Sequence, residues 1–101
     1  MQSVKVDDVW MQNIFDGRKQ NTIRMGHKDI TLGPLNIIST SGISESVWCN
    51  EVNIKMFGNI NYLDALGGFH RNIKECKNVL ISYYPEIDDS SVVTVIWFKW
   101  R

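Results

Sequence analysis

Two stretches of β-type sequence constrain this chain more than any other feature. From Val47 to Phe57 apolar and polar residues alternate, with Val52, Ile54 and Met56 on one side and Glu51, Asn53 and Lys55 on the other. A period of two belongs to a strand with one buried face. From Val92 to Trp100 every residue but Lys99 is β-branched or aromatic, which predicts a largely buried closing strand. A chain carrying two such strands needs a sheet, and its helices must pack against that sheet.

The remaining elements are short. Val6, Val9, Trp10 and Ile14 follow helical spacing, so a helix with one apolar stripe is expected from about Asp7 to Asp16. Asp7 or Asp8 can cap its start and Gly17 its end. Asn21–Met25 reads as a strand, Gly26–Asp29 as a polar turn, and Leu35–Ile38 as a strand after the Gly33-Pro34 break. Ser39–Ser46, small and polar, reads as a hairpin-like connection. Gly58-Asn59 ends the alternating strand, and Tyr62–Leu66 is a short helical turn closed by Gly67-Gly68.

Asn72, with Glu75 three residues on, opens a further helix whose apolar side is Ile73, Cys76, Val79, Leu80 and Tyr83. Pro85 stops it, and the acidic turn Asp88–Ser91 leads into the last strand. No βαβ alternation repeats. The expected class is therefore α+β: a small, mainly antiparallel sheet or β-barrel with two or three flanking helices, one domain over residues 1–101. A closed barrel would leave no exposed edge.

Composition narrows the function classes. The chain has 44% hydrophobic and 22% charged residues, the balance of a globular domain rather than a disordered one. It has no apolar run of about 18 residues, so no membrane span is expected. Its start lacks a basic stretch followed by an apolar one, so a cytoplasmic protein without a leader is expected. Eleven Lys and Arg balance 11 Asp and Glu, which argues against a broad basic field for duplex DNA and leaves a monomer or weak dimer as the expectation. Cys49 and Cys76 lack Cys-x-x-Cys spacing and have few histidines nearby, so partly buried free thiols are expected, with no metal and no cofactor.

The chemistry concentrates between Ile14 and Arg24. A helix ends at Gly17, two cations follow, and a strand then carries Thr22 and Arg24 on the same face. Lys19, at the helix–strand corner, can swing toward that face. An ammonium, a hydroxyl and a guanidinium would then meet around an anionic or carbonyl-rich ligand, such as a nucleotide phosphate or a pyrimidine base. Solvated cations beyond a helix end are the plainer alternative.

Gly17-Arg18-Lys19-Gln20-Asn21-Thr22-Ile23-Arg24 resembles the Gly-x-Lys-x-x-x-x-Arg signature of ASCH domains, in the PUA-like superfamily. The flanking elements fall in the same order: the preceding helix, the Gly33-Pro34 strand, the Cys49–Ile54 strand, the Leu63–Leu66 turn, the helix ending at Tyr84-Pro85, and Val95–Lys99. The resemblance runs from about residue 4 to about residue 100 and is closest to small bacterial N(4)-acetylcytidine amidohydrolases. It implies a β-barrel with a cleft beside the first helix, and a catalytic lysine, threonine and glutamate. Lys19 and Thr22 match the first two, as base or charge stabiliser and as nucleophile or water-positioning hydroxyl. A lysine can act as base only if burial or neighbouring cations lower its pKa.

The glutamate position falls on Phe69, or on Gly68 or His70 with a shifted gap. Pro34 replaces the Asp of the family's Gly-Asp. Asp64 and Glu75, the nearest acids, have structural readings as a helix start and a capping box. His70 could stand in as acid or base, although a lone loop histidine is more often solvated or structural.

Other residues carry weaker signals. Trp48 and Trp100 are the tryptophans expected to be exposed, as stacking platforms for bases, while the remaining aromatics suit the core. His27 with Lys28, and Arg71, Lys74 and Lys77 on one helix side, read as solvated faces. The leading expectation is a module binding RNA or a modified nucleoside or nucleotide through Arg18, Lys19, Thr22 and Arg24. The alternatives are an N(4)-acetylcytidine amidohydrolase or ribonuclease-like enzyme, and a phage or mobile-element protein that binds a host protein.

Overall fold

The computed structural model describes residues 1–100. Along the chain run β1 (Ser3–Val6), α1 (Asp8–Phe15), β2 (Asn21–Met25), β3 (Gly33–Ser39), β4 (Ser44–Met56), a 3-10 turn (Phe57–Asn59), α2 (Tyr62–Gly67), α3 (Ile73–Tyr83) and β5 (Val92–Lys99). The strands form one five-stranded sheet in the order β1-β3-β4-β5-β2, parallel only between β1 and β3. This is the expected α+β architecture, with three helices around a mainly antiparallel sheet. The sheet curls into a half-barrel and does not close, because β1 and β2 are its two unpaired edges.

β4 and β5 form the spine, with Val52 opposite Ile96 and Met56 opposite Val92. A register shift between Cys49 and Glu51 leaves Asn50 bulged, so Val47 and Cys49 before it and Val52 after it can serve the same core. From Val93 to Phe98 β5 is apolar except for Thr94, because both its faces are covered there. Ile96 and Phe98 pack with Val4, Met11 and Ile14 on one side, and Val93 and Val95 pack with Ala65, Cys76 and Leu80 on the other.

Several expectations are corrected. β1 carries no strong local signal, and Val6 belongs to it rather than to the helix. Val4 and Val6 alternate with Ser3 and Lys5, and the partner that makes them a strand, β3, lies about thirty residues away. Val9 is 71% exposed, so the buried positions of α1 are Met11 and Ile14. The stretch Ser39–Ser46 holds the β3–β4 hairpin turn, as expected, but the turn is confined to residues 40–43 around Gly42 in the left-handed region (φ 93°), and the flanking residues belong to the two strands.

On β4 the alternation is real, yet Ile54 and Met56 are exposed, because they lie beyond the core cluster that covers Val47 and Cys49. The polar side is the one facing α2, where Lys55 pairs with the buried Asp64 at 2.7 Å. On α3 only Cys76 and Leu80 are buried, while Ile73 and Tyr83 reach solvent. Cys49 and Cys76 are free and buried. No helix is long and apolar enough to cross a membrane among the described residues.

Candidate functional site

Where the half-barrel fails to close, a cavity of about 390 Å³ opens. Lys5, Val6 and Asp7 contribute from one edge, Thr22, Ile23 and Arg24 from the other, and Trp10 of α1 and Tyr83 of α3 also line it. Its size is that of a small-ligand site.

Lys19 enters this cavity because of how α1 ends. Gly17 adopts φ 79°, which a residue with a Cβ tolerates poorly, and the backbone N–H groups of Arg18 and Lys19 both donate to Asn13 O at 2.9 Å. The tight turn sends the two cations in opposite directions. Arg18 goes to solvent, its side chain 65% exposed and 3.7 Å from Asp16, and does not line the cavity. Lys19 goes inward and is 6% exposed.

The buried ammonium has few partners. Lys19 Nζ donates to Gly68 O at 3.1 Å and sits 4.8 Å from the centre of the Trp10 ring. Among the described residues no carboxylate pairs with it. Burial, reinforced by repulsion from Arg24, brings its pKa down to about 7. The group is therefore poised between its charged and neutral forms near neutral pH. Thr22, 3% exposed, lines the same cavity from β2.

Arg24 spans the opening. Its guanidinium donates to Lys5 O on the far edge strand and, at 3.1 Å, to Ile23 O. Burial holds its pKa below the ordinary arginine value, partly offset by Tyr84, Tyr83 and Asp7. The guanidinium belongs to a residue that lines the cavity.

The α2–α3 corner supplies the floor, and two glycines make it fit. A Cβ on Gly67 would lie 2.3 Å from Trp97 and 2.6 Å from Asn21, and one on Gly68 would lie 3.0 Å from both Asn21 and His70. Gly67 O accepts from Gln20 N at 2.6 Å, one residue past the Lys19 contact with Gly68. The bare α2 terminus thus lies flat against the start of β2. The buried polar atoms without a protein partner, Asn21 Oδ1, His70 Nδ1 and Trp97 Nε1, all belong to residues packed around this glycine pair.

Two cavity residues, Asp7 and His70, take places that the sequence does not make clear. Asp7 reads as a helix cap, but its carboxylate makes no capping bond and instead accepts from the Tyr83 hydroxyl, which in turn accepts from Trp10 Nε1 at 3.3 Å. This chain ties the start of α1 to the end of α3. His70, read from the sequence as solvated or structural, is 8% exposed, lines the cavity and meets Trp10 edge-on with ring centres 5.5 Å apart. Burial, then the Lys19 charge, lowers its pKa, favouring the neutral imidazole. Phe69, at the resemblance's glutamate position, is 42% exposed and does not line the cavity. Asp64 and Glu75 keep structural roles, Asp64 in the capping box of α2 and Glu75 paired with Arg71 at 2.8 Å.

The weaker candidates lie elsewhere. His27 and Lys28 occupy an exposed turn away from the cavity. Lys77 lies over Phe57, at 5.3 Å. Trp48 and Trp100 are 40% and 38% exposed, as their positions predict. No cluster of three or more His, Cys, Asp or Glu side chains among the described residues is placed to hold a metal ion.

No protein-family model and no curated protein matches the sequence. Solved structures do match the fold. An ASCH domain from Lactobacillus crispatus JV V101 superposes with a TM-score of 0.71 at 12% identity, covering 91% of this chain and 70% of that one. A DUF984 protein from Enterococcus faecalis V583 superposes with a TM-score of 0.66 at 12% identity, covering 89% of this chain and 65% of that one. The chain has the fold of an ASCH domain.

Proposed function

We propose that the protein binds a nucleobase or nucleoside, free or within RNA, in the cavity between the two sheet edges. The observation that carries this reading is the buried Lys19, without a carboxylate partner, in one cavity with Thr22 and Arg24. The lining mixes the donors of Lys19 and Arg24 with the Thr22 hydroxyl and the Asp7 carboxylate. A heterocycle with donors and acceptors of its own suits that mixture. Trp10 and Tyr83 supply aromatic surface for the ring. Titration with cytidine, its N(4)-acetyl derivative and short RNA tests the reading. Micromolar to millimolar binding that is lost in Lys19→Ala supports it, and no binding by the wild-type protein ends it.

A second reading, hydrolysis of an acylated cytidine, is favoured by the pKa of Lys19 near 7. A neutral Lys19 would accept a proton from water, or from Thr22, as that oxygen bonds to the acyl carbon. The acyl carbon–nitrogen bond would then break, and the base would leave with its amino group completed by that proton. Attack by water frees acetate directly, whereas attack by Thr22 leaves an acetyl ester that a water then hydrolyses to acetate. Chromatography of N(4)-acetylcytidine incubated with wild-type protein and with Thr22→Ala decides it. Turnover by the wild type alone supports catalysis, and none by either leaves binding as the function.

A further inference from the structure

A second cavity, of about 250 Å³, lies behind Lys19. Lys19 is among the residues that line both cavities. The second cavity is bounded by Gly17 and Gln20, by the bulged Asn50 of β4, and by Trp97, Lys99 and Trp100 at the end of β5. Two of its lining residues are cations, Lys19 and Lys99, and among the described residues none that lines it is a carboxylate. At its rim Trp100 stacks on Phe15, with centres 6.0 Å apart and planes 15° from parallel, and both rings are more than a third exposed.

We infer that this second cavity holds the nucleotide adjoining the one in the first, so that the protein recognises a single strand of RNA rather than a free nucleoside. The inference rests on the nucleobase reading of the first cavity. The chemistry is that of single-strand sites: exposed aromatic faces for bases and cations for the phosphates between them. Among its described lining residues the second cavity has Lys99 and no acid, so a phosphate there meets no opposing carboxylate. A linking phosphate would find its positive charge at Lys19 and at Lys99. The Phe15–Trp100 pair would present its flat, solvent-facing surface to the second base.

Calorimetric titration of a five-nucleotide single-stranded RNA and of cytidine, each into wild-type protein, Trp100→Ala and Lys99→Gln, tests this. The expected result is tighter binding of the oligonucleotide than of cytidine, with roughly tenfold loss of oligonucleotide affinity in Trp100→Ala. Lys99→Gln should also weaken the oligonucleotide and lower the slope of log affinity against log salt by about 0.7, the single-strand value for one phosphate contact. Cytidine affinity should stay unchanged in both variants, which also shows that they fold. Equal wild-type affinities for the two ligands, or oligonucleotide binding indifferent to both substitutions, overturns the inference and leaves the first-cavity reading standing. Equal weakening of both ligands overturns it as well, and no binding of either ligand overturns both readings.

Discussion

The guanidinium of Arg24, on β2, donates to the main-chain carbonyl of Lys5, on β1, although these strands stand at opposite ends of the sheet order and are not paired. One side chain thus bridges the gap that backbone hydrogen bonds leave open. The consequence is a ligand-sized cavity in place of a closed barrel seam, with a half-buried cation across it and a buried one, Lys19, beside it. Like charges in a poorly solvated space raise each other's cost of ionisation, and Lys19, having the lower intrinsic pKa, yields its proton first.

Removing the bridge should therefore relax Lys19. In Arg24→Met the repulsion is gone and the Lys19 pKa should rise from about 7 toward the ordinary lysine value, stopping short because burial, the larger cause, remains. NMR titration of the Lys19 side chain in both proteins measures it. An unchanged or lower value in Arg24→Met would contradict the assignment of repulsion.

The same burial makes stability depend on pH. The unfolded chain holds its lysine proton up to about 10.5, whereas folded Lys19 releases it near 7. Between those values the unfolded state binds more protons, so the Lys19 contribution to stability increases as pH rises from 7 toward 10.5 and is absent below 7. Lys19→Met should flatten this trend. Urea unfolding of both proteins at pH 6.5 and pH 9.5 tests it, and the gain of the wild type relative to the variant must be positive.

Gly67→Ala should destabilise the protein. Alanine is favoured over glycine in a helix by about 1 kcal/mol. The added carbon, however, would lie 2.3 Å from the Trp97 ring and 2.6 Å from Asn21. Overpacking of that severity outweighs the propensity gain, for a net loss of roughly 2 kcal/mol. Gly68→Ala, with nearest approaches of 3.0 Å, should cost less. Denaturation midpoints of the two variants give the order directly.

Asp64→Ala should cost about 3 kcal/mol, toward the low end for breaking a buried ion pair because Lys55 can turn toward water. The Asp64 side chain is 4% exposed against 20% for Lys55, and its carboxylate also accepts from Asn61 N at 3.1 Å. Adding Lys55→Met should recover part of the loss, since it removes the stranded charge. Urea denaturation of the single and double variants tests the pair, and equal stabilities of the two would argue against a stranded charge.

Much of the site motif was readable in the chain itself. The strand Asn21–Met25, the left-handed Gly17 and the neighbourhood of Lys19, Thr22 and Arg24 all follow from local rules: a glycine that ends a helix, and side chains two apart on a strand. Arg18 shows where those rules stop, because the turn that buries Lys19 expels its neighbour, and spacing alone does not say which cation goes in. Asp7, His70 and the Gly67-Gly68 pair were harder to see. Each acts through atoms far along the chain: Asp7 through Tyr83, and the glycines through Asn21 and Trp97.

The sequence by itself determined the strand-forming segments, the helix ends and the cationic motif, because these depend on sterics and periodicity within a few residues. Only the tertiary structure decided that β1 exists, that the barrel stays open, and that Lys19 is buried. Those outcomes depend on pairing and packing between distant segments, such as β1 with β3 and Lys19 with Gly68, and on the desolvation that such contacts impose.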